Sequence, residues 1–268
     1  MPAHDEDLAL LIAAAHEVGP IAMRFWKRNP KSWDKGGALG PVTEADLAVN
    51  DRLRGVLTGA RPDYGWLSEE TPDDPARLAT KRCFIVDPID GTRAFIDGQD
   101  GFAHALAITD GTEVTAAVVY LPARDVMYTA TADGPALRNG MAIGPTDPAA
   151  GLDGASVLTN GAALKPDLWR DGNVPPLRRA FRPSLAWRFC LVAEGRFDAA
   201  LSIRPTWEWD IAAASLIAAR AGCVVTDASG GTLKFNSPTA QTSGAVVAAP
   251  KLHQKLIAAL SPKLGAAA

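Results

Sequence analysis

Residues 84–98 read FIVDPIDGTRAFIDG, an apolar strand (Phe84, Ile85, Val86) that runs straight into two carboxylates, Asp87 and Asp90. Two acids at the mouth of a buried strand lose hydration and repel each other, so they need a compensating cation. The spacing D-P-I-D predicts a sharp turn. Pro88 fixes one φ and cannot extend the strand, so both Asp side chains can face one point with the Ile89 carbonyl between them. Gly91 lets backbone approach an anion, and Thr92 offers a hydroxyl. A hard divalent ion takes this mixture of carboxylate, carbonyl and water oxygens.

Upstream of this stretch, apolar residues recur at helical spacing from Asp5 to Lys27, which predicts a long amphipathic helix bent near Gly19–Pro20. A Gly- and Lys-rich loop over 29–41 leads to Thr43-Glu-Ala-Asp46, which has the form of a helix start, with Leu47, Leu53, Val56 and Leu57 on the inner face. Tyr64–Leu67 reads as a short extended piece. Cys83–Val86, Ala103–Thr109, Val114–Tyr120 and Val126–Thr131 read as neighbouring strands of a meander. Beyond Gly151 strands and helices alternate: a strand at Ala155–Thr159, a helix at Leu185–Glu194, a strand at Ala199–Ile203 and a helix at Asp210–Ala221. Strands at Cys223–Thr226 and Ala245–Ala248 follow. Layered α/β architecture fits this order. The lobe boundary is expected in the GPTDPAAGLDG stretch, giving an N-terminal α+β lobe over 1–145 and a C-terminal α/β lobe over 146–268. The Ala-rich tail Gly265–Ala268 is expected to fray.

Composition narrows the function classes. A chain of 268 residues with a net charge of −3 has no basic face of the kind a nucleic acid polymer or an anionic membrane requires. No run approaches the roughly 20 apolar residues of a membrane span, and the acidic start MPAHDEDLALL is unlike a secretory signal, so a cytoplasmic location is expected. Cys83, Cys190 and Cys223 each lie in an apolar run and read as buried hydrophobes. The four histidines lack ligand spacing, which argues against zinc.

Four acidic points stand out at element ends or turns: Asp46, the pair Glu69–Glu70, the pair Asp87 and Asp90, and Asp210 in TWEWDIAA. Taken singly, three of them have plain structural readings. Asp46 completes a capping box with Thr43, Glu69–Glu70 is solvated loop charge, and Asp210 is an acid favoured at a helix N-terminus. The DPIDGT stretch has no such reading.

Together, Glu69-Glu70, Asp87-Pro88-Ile89-Asp90-Gly91-Thr92 and Trp209-Asp210-Ile211-Ala212-Ala213 resemble the signatures of the inositol monophosphatase superfamily, Mg²⁺-dependent, lithium-sensitive phosphomonoesterases. Lys35, Pro41-Val42-Thr43, Asp46, Asn139-Gly140 and Ala221-Gly222 extend the likeness over nearly the whole chain. The resemblance implies a layered α-β-α-β-α sandwich. It also implies a small phosphate ester as substrate and admits a homodimer.

By the same resemblance, Glu69, Asp87 and the Ile89 carbonyl would hold a first Mg²⁺, and Asp87, Asp90 and Asp210 a second. A weaker third ion would lie near Glu69 through water, giving two to three ions per site. Thr92 paired with Asp46 would orient the attacking water, which makes Asp46, Glu69 and Thr92 the catalytic group. The Gly91 and Thr92 amides would grip phosphate oxygens. One ion would lower the pKa of the nucleophile and another would stabilise the leaving alkoxide.

Three departures from the inositol-phosphatase pattern bear on the alcohol. Arg93 follows the motif, giving TRAF rather than TTNF, and a cation there suits a second anionic group. Ile203 occupies the position of a sugar-binding Glu. Ser184–Leu185 and Arg188–Gly195 resemble the corresponding stretch of 3′(2′),5′-bisphosphate nucleotidases. The expectation is therefore hydrolysis of the 3′-phosphate of adenosine 3′,5′-bisphosphate. Arg93, Ser184 and Arg188 are the substrate-binding candidates, with Arg182 and Arg204 as further cations. Histidinol phosphate and inositol 1-phosphate are the alternative substrates, and a non-catalytic metal-binding protein is a distant third class.

Overall fold

The computed structural model describes residues 3–36, 40–146 and 151–261. Helices α1 (Ala3–Phe25) and α2 (Glu44–Ala60) form the first layer. Helix α1 continues through Pro20. By length and mean hydropathy it could also cross a bilayer over His4–Phe25. Here its stripe of Leu11, Ala15 and Val18 is buried against the neighbouring sheet, as in an amphipathic surface helix. Between the two helices, the loop expected over 29–41 carries an antiparallel pair, β1 (Ser32–Asp34) and β2 (Pro41–Thr43).

The second layer is a seven-stranded sheet in chain order. It comprises β3 (Gly65–Ser68), β4 (Arg82–Asp90), β5 (Ala103–Asp110), β6 (Glu113–Leu121), β7 (Val126–Thr131), β8 (Leu137–Arg138) and β9 (Met141–Ala142). Only β3 and β4 run parallel; the rest is an antiparallel meander. One face packs Phe84, Val86, Leu106 and Ile108 against Val49, Leu53 and Leu57 of the first layer.

Helices α4 (Leu185–Ala193) and α5 (Glu208–Arg220) make the third layer. The sheet face beneath them is rich in alanine (Ala103, Ala105, Ala107, Ala117), as is α5 itself (Ala212, Ala213, Ala214, Ala218), and all of these are buried in one core. Small side chains on both sides permit close packing of helix on sheet, which brings the start of α5 up to the end of β4.

A five-stranded sheet closes the core from the other side. Its order is β11-β10-β12-β16-β14, from β10 (Ser156–Leu158), β11 (Arg178–Ala180), β12 (Ala199–Ser202), β14 (Val224–Thr226) and β16 (Ala245–Ala248). A small ladder of β13 (Thr206–Trp207) and β15 (Gln241–Thr242) precedes α5. Helix α6 (Pro250–Ala259) covers the outer face through Leu252 and Leu256 against Val157, Leu201 and Val246. The layers are thus α-β-α-β-α, as expected. All three cysteines are free and buried. The expected lobe boundary falls beside residues 147–150, and those residues and the Gly265–Ala268 tail lie outside the described residues.

Candidate active site

Strand β4 does not end in the sharp turn expected at Pro88. It runs through to Asp90, and its register against β5 slips between Asp87, opposite Ala105, and Asp90, opposite Ala103. Residues 88 and 89 therefore face the single residue His104, which is a one-residue bulge. Side chains alternate along a strand, so positions 87 and 90 would ordinarily point to opposite faces. The extra residue flips the phase: Phe84 and Val86 lie in the outer core with Ile89, while Cys83 and Ile85 face the helix layer. Asp87 and Asp90 thereby turn to the same side.

There they meet Asp210, carried in the first turn of α5. One carboxylate oxygen from each of the three lies within 4.8 Å of the others. Asp87 is fully buried, and its Oδ1 has no hydrogen-bond partner among the described residues. Burial, then the charges of Glu69, Asp90 and Asp210, push its pKa well up. Asp210 is raised in the same way by burial and by Asp90 and Glu69, although Arg204 and Arg188 pull against it. An orphaned buried carboxylate oxygen facing two more acids fits a hard cation, which would supply the missing positive charge.

Glu69 and Glu70 follow β3, whose parallel register pairs Ser68 with Val86, so Glu69 comes next to Asp87. Lys35, just past β1, donates to Glu69 Oε1 and Glu70 Oε1, both at 2.7 Å. Burial works against this ammonium, but the two glutamates outweigh it and raise its pKa. Burial pushes Glu69 up to about 7 despite Lys35. Glu69 stands outside the group of three aspartates in this arrangement.

Asp46 serves two purposes with its two oxygens. Oδ2 closes the capping box, accepting from the Thr43 amide at 2.9 Å and the Thr43 hydroxyl at 2.5 Å. Oδ1 accepts from Thr92 Oγ1 at 3.2 Å, and the same hydroxyl lies 3.1 Å from the Ile89 carbonyl. Burial raises the Asp46 pKa to about 6 against the Thr43 hydrogen bonds. The capping role and the contact with Thr92 coexist. Gly91 precedes the short helix α3 (Thr92–Ile96) at φ 100°, and a Cβ there would meet the Ser184 amide, the Gly101 carbonyl and Phe102 at 3.4–3.5 Å. Those are ordinary contacts, so it is the left-handed φ, rather than lack of space, that calls for glycine here.

The inositol monophosphatase family profile matches residues 3–265, including every one of these acids. The chain belongs to the inositol monophosphatase family. Among curated relatives, it is 32% identical over 248 residues to an inositol monophosphatase of Dictyostelium discoideum, covering 87% of this chain and 89% of the relative. It is 34% identical over 200 residues to the 3′(2′),5′-bisphosphate nucleotidase CysQ of Escherichia coli, covering 73% and 79%. Among solved structures, the inositol monophosphatase TM1415 of Thermotoga maritima superposes with a TM-score of 0.78 at 26% identity, covering 94% of this chain and 96% of that one.

Within this inositol monophosphatase fold the remaining candidates fall into distinct places. Ser184 is the N-cap of α4 and is fully buried. Its hydroxyl donates to Asp90 Oδ2 at 2.6 Å and accepts from the Trp187 amide at 2.9 Å. Its donor and one of its two acceptor positions are thus engaged in holding Asp90 and capping α4. The Leu185 and Ala186 amides also bind Asp90, at 3.2 and 2.7 Å. Arg188 is buried, with hydrogen bonds to the Arg182 and Pro183 carbonyls. Burial lowers its pKa, while Asp90 and Asp210 oppose that shift. Arg93 and Arg204 are exposed. Arg182 lies over the Trp187 and Phe197 rings.

A cavity of about 350 Å³ near Trp187 and Tyr128 contains none of these carboxylates. Its arginines are matched within the protein, Arg124 by Asp100 and both Arg138 and Arg196 by Glu194. The candidate site is instead the carboxylate cleft. Sequence reading does not single out His104, whose ring Nδ1 lies 2.5 Å from the Pro88 carbonyl. The available signal is an imidazole inside the apolar run Ala103–Ile108 of β5, opposite a strand that contains proline.

Proposed function

We propose that this family phosphatase is a Mg²⁺-dependent phosphomonoesterase whose substrate is a small phosphate ester, most favourably the 3′-phosphate of adenosine 3′,5′-bisphosphate. The observation that carries the metal reading is the unpartnered Asp87 Oδ1 within the Asp87, Asp90 and Asp210 group. Glu69, Asp87 and the Ile89 carbonyl would hold one Mg²⁺, and Asp87, Asp90 and Asp210 another. When bound, the ion supplies Lewis-acid polarisation of the phosphate and neutralises its charge.

The chain's own groups do the rest. Thr92 orients a water through its hydroxyl, and Asp46, with its raised pKa, accepts the proton passed along that bond. The Gly91 and Thr92 amides at the start of α3 hold phosphate oxygens. Asp90 is fixed by Ser184 and the first α4 amides, so its carboxylate needs no reorganisation.

Support for a bisphosphate is electrostatic. Arg188 and Arg204 both act on Asp210, so cations border the acidic cleft where a second phosphate would need them, and Arg93, exposed on α3, is a further candidate. The CysQ relative and the stretch Arg188–Gly195 favour the same reading. The Dictyostelium relative keeps inositol monophosphate as the second reading. Phosphate release from adenosine 3′,5′-bisphosphate, inositol 1-phosphate and histidinol phosphate at matched Mg²⁺, with and without lithium, separates them. A kcat/KM for the bisphosphate at or below the other two would overturn the nucleotidase reading. No Mg²⁺-dependent release from any ester would overturn the phosphatase mechanism.

A further inference from the structure

His104 is the one residue of β5 that faces the β4 bulge, between the register pairs Asp87 with Ala105 and Asp90 with Ala103. Its side chain is fully buried beside the Phe102 and Tyr120 rings. Ring Nδ1 lies 2.5 Å from the Pro88 carbonyl oxygen, which can only accept, so Nδ1 carries the proton. Nε2 is then a bare acceptor, and it has no partner among the described residues. Burying an unpartnered imidazole nitrogen is costly, whereas an apolar side chain would fill the same space at no such cost. The polar group is therefore retained for the bond it makes at Nδ1.

That bond falls at the point where the ladder fails. Within the bulge the extra residue leaves strand groups unpaired, and Pro88 has no N–H to recover one. The imidazole takes the Pro88 carbonyl in place of a strand amide. From the bulge geometry we infer that His104 is a positioning residue for the metal carboxylates, clamping Pro88 so that Asp87 and Asp90 point to the same side of the sheet. The inference rests on the metal reading above, and it assigns no direct contact with substrate or ion to His104.

The test compares wild type with His104→Phe, which fills the space without a donor, and His104→Asn, whose side-chain amide can donate from nearly the position of Nδ1. Mg²⁺ affinity of each metal-stripped protein is measured by calorimetry, and folding by near-UV circular dichroism. His104→Phe is expected to bind Mg²⁺ about tenfold or more weakly, the range for residues that orient ligands from outside the metal sphere. His104→Asn is expected to recover most of the affinity. In wild type, ¹⁵N NMR of the imidazole should show protonated Nδ1 and bare Nε2 from pH 5 to 8, since burial lowers the His104 pKa to about 4. Wild-type affinity in folded His104→Phe, or a proton on Nε2, would overturn the inference about His104 alone. Wild-type protein that takes up no Mg²⁺ would overturn the metal reading and this inference together.

Discussion

Ser184 donates its hydroxyl to Asp90 across 2.6 Å and thereby ties the end of β4 to the start of α4. The same oxygen caps α4 by accepting the Trp187 amide, so one buried side chain stabilises a helix end and a carboxylate at once. Asp90 lies where the positive end of the helix dipole offsets part of its charge. Burial still leaves its pKa raised, because the hydrogen bonds from Ser184, Ala186 and Leu185 only partly offset it.

Ser184→Ala removes both bonds without adding volume. The expected loss is about 1–2 kcal/mol of unfolding free energy, the usual cost of an N-cap plus a hydrogen bond to a charged group. Urea denaturation followed by circular dichroism reads this as a lower midpoint with an unchanged slope. An unchanged midpoint would show that Ser184 contributes nothing to the junction.

Burial and mutual repulsion make the carboxylate group a cost to the stability of the metal-free protein. In metal-free protein, Asp210→Asn removes a charge that Asp90 and Glu69 oppose, and the raised Asp210 pKa shows that burial and repulsion outweigh its favourable helix-start position. The variant is expected to melt at a higher temperature than wild type in EDTA, to gain no stability from Mg²⁺ and to release no phosphate. Scanning calorimetry with and without the ion gives all the comparisons except turnover. A variant stabilised by Mg²⁺ as strongly as wild type would remove Asp210 from the metal site.

The pH dependence has a definite sign. The folded pKa values of Asp46, about 6, and Glu69, about 7, lie above the ordinary carboxylate values of 3.8 and 4.5, so the folded state binds protons more tightly than the unfolded chain. Such groups contribute stability that is fully present below the unfolded pKa and is lost as pH rises through the folded one. Metal-free protein should therefore lose thermal stability between about pH 4 and 7. With saturating Mg²⁺ the trend should reverse, because protons then compete with the ion for the same oxygens. Melting temperatures across pH 4.5–8 in EDTA and in Mg²⁺ test both signs.

Much of this architecture is legible locally, and what escapes does so for separate reasons. Strands β5, β6 and β7 carry long apolar or alternating runs, and Thr43 with Asp46 spells out the capping box that starts α2. The β1–β2 pair escapes because all three β1 residues are exposed, so no apolar pattern marks it. In β8–β9 the turn signal Asn139–Gly140 is present, and both residues adopt positive φ, but two-residue strands are too short to show a period. Helix α6 had its signals, Pro250 at the first turn and Leu252 with Leu256 one turn apart. At the site, the acids were visible as residue types in a motif. The bulge that aligns two of them was not, because register belongs to a pair of strands and depends on His104, fourteen residues beyond Asp90 in sequence.

Two exposed arginines test the ester. Neither Arg93 nor Arg204 is buried, so truncating either to alanine leaves the core intact. If they meet a second phosphate, each substitution should raise KM for adenosine 3′,5′-bisphosphate by about tenfold, the equivalent of one charge-assisted hydrogen bond, and change inositol 1-phosphate kinetics little. Equal losses on both esters would assign the arginine to the scissile phosphate. No loss on either would remove it from the site.

Thr92 offers the sharpest test of the water-orienting role, because its hydroxyl has one proton and two buried acceptors, Asp46 Oδ1 at 3.2 Å and the Ile89 carbonyl at 3.1 Å. Thr92→Val keeps the shape and removes the hydroxyl, leaving both acceptors short of a donor, whereas Thr92→Ser keeps the hydroxyl and removes a methyl group. The valine variant is expected to lose about 10²–10⁴-fold in kcat, the range for a positioned general acid–base pair, with KM little changed. The serine variant is expected to stay within about tenfold of wild type, since only the methyl that restricts its rotamer is lost. Steady-state kinetics on one ester at fixed Mg²⁺ separates the outcomes. A valine variant with wild-type kcat would leave Thr92 with a purely structural part in the α3 turn, and Asp46 with only its cap.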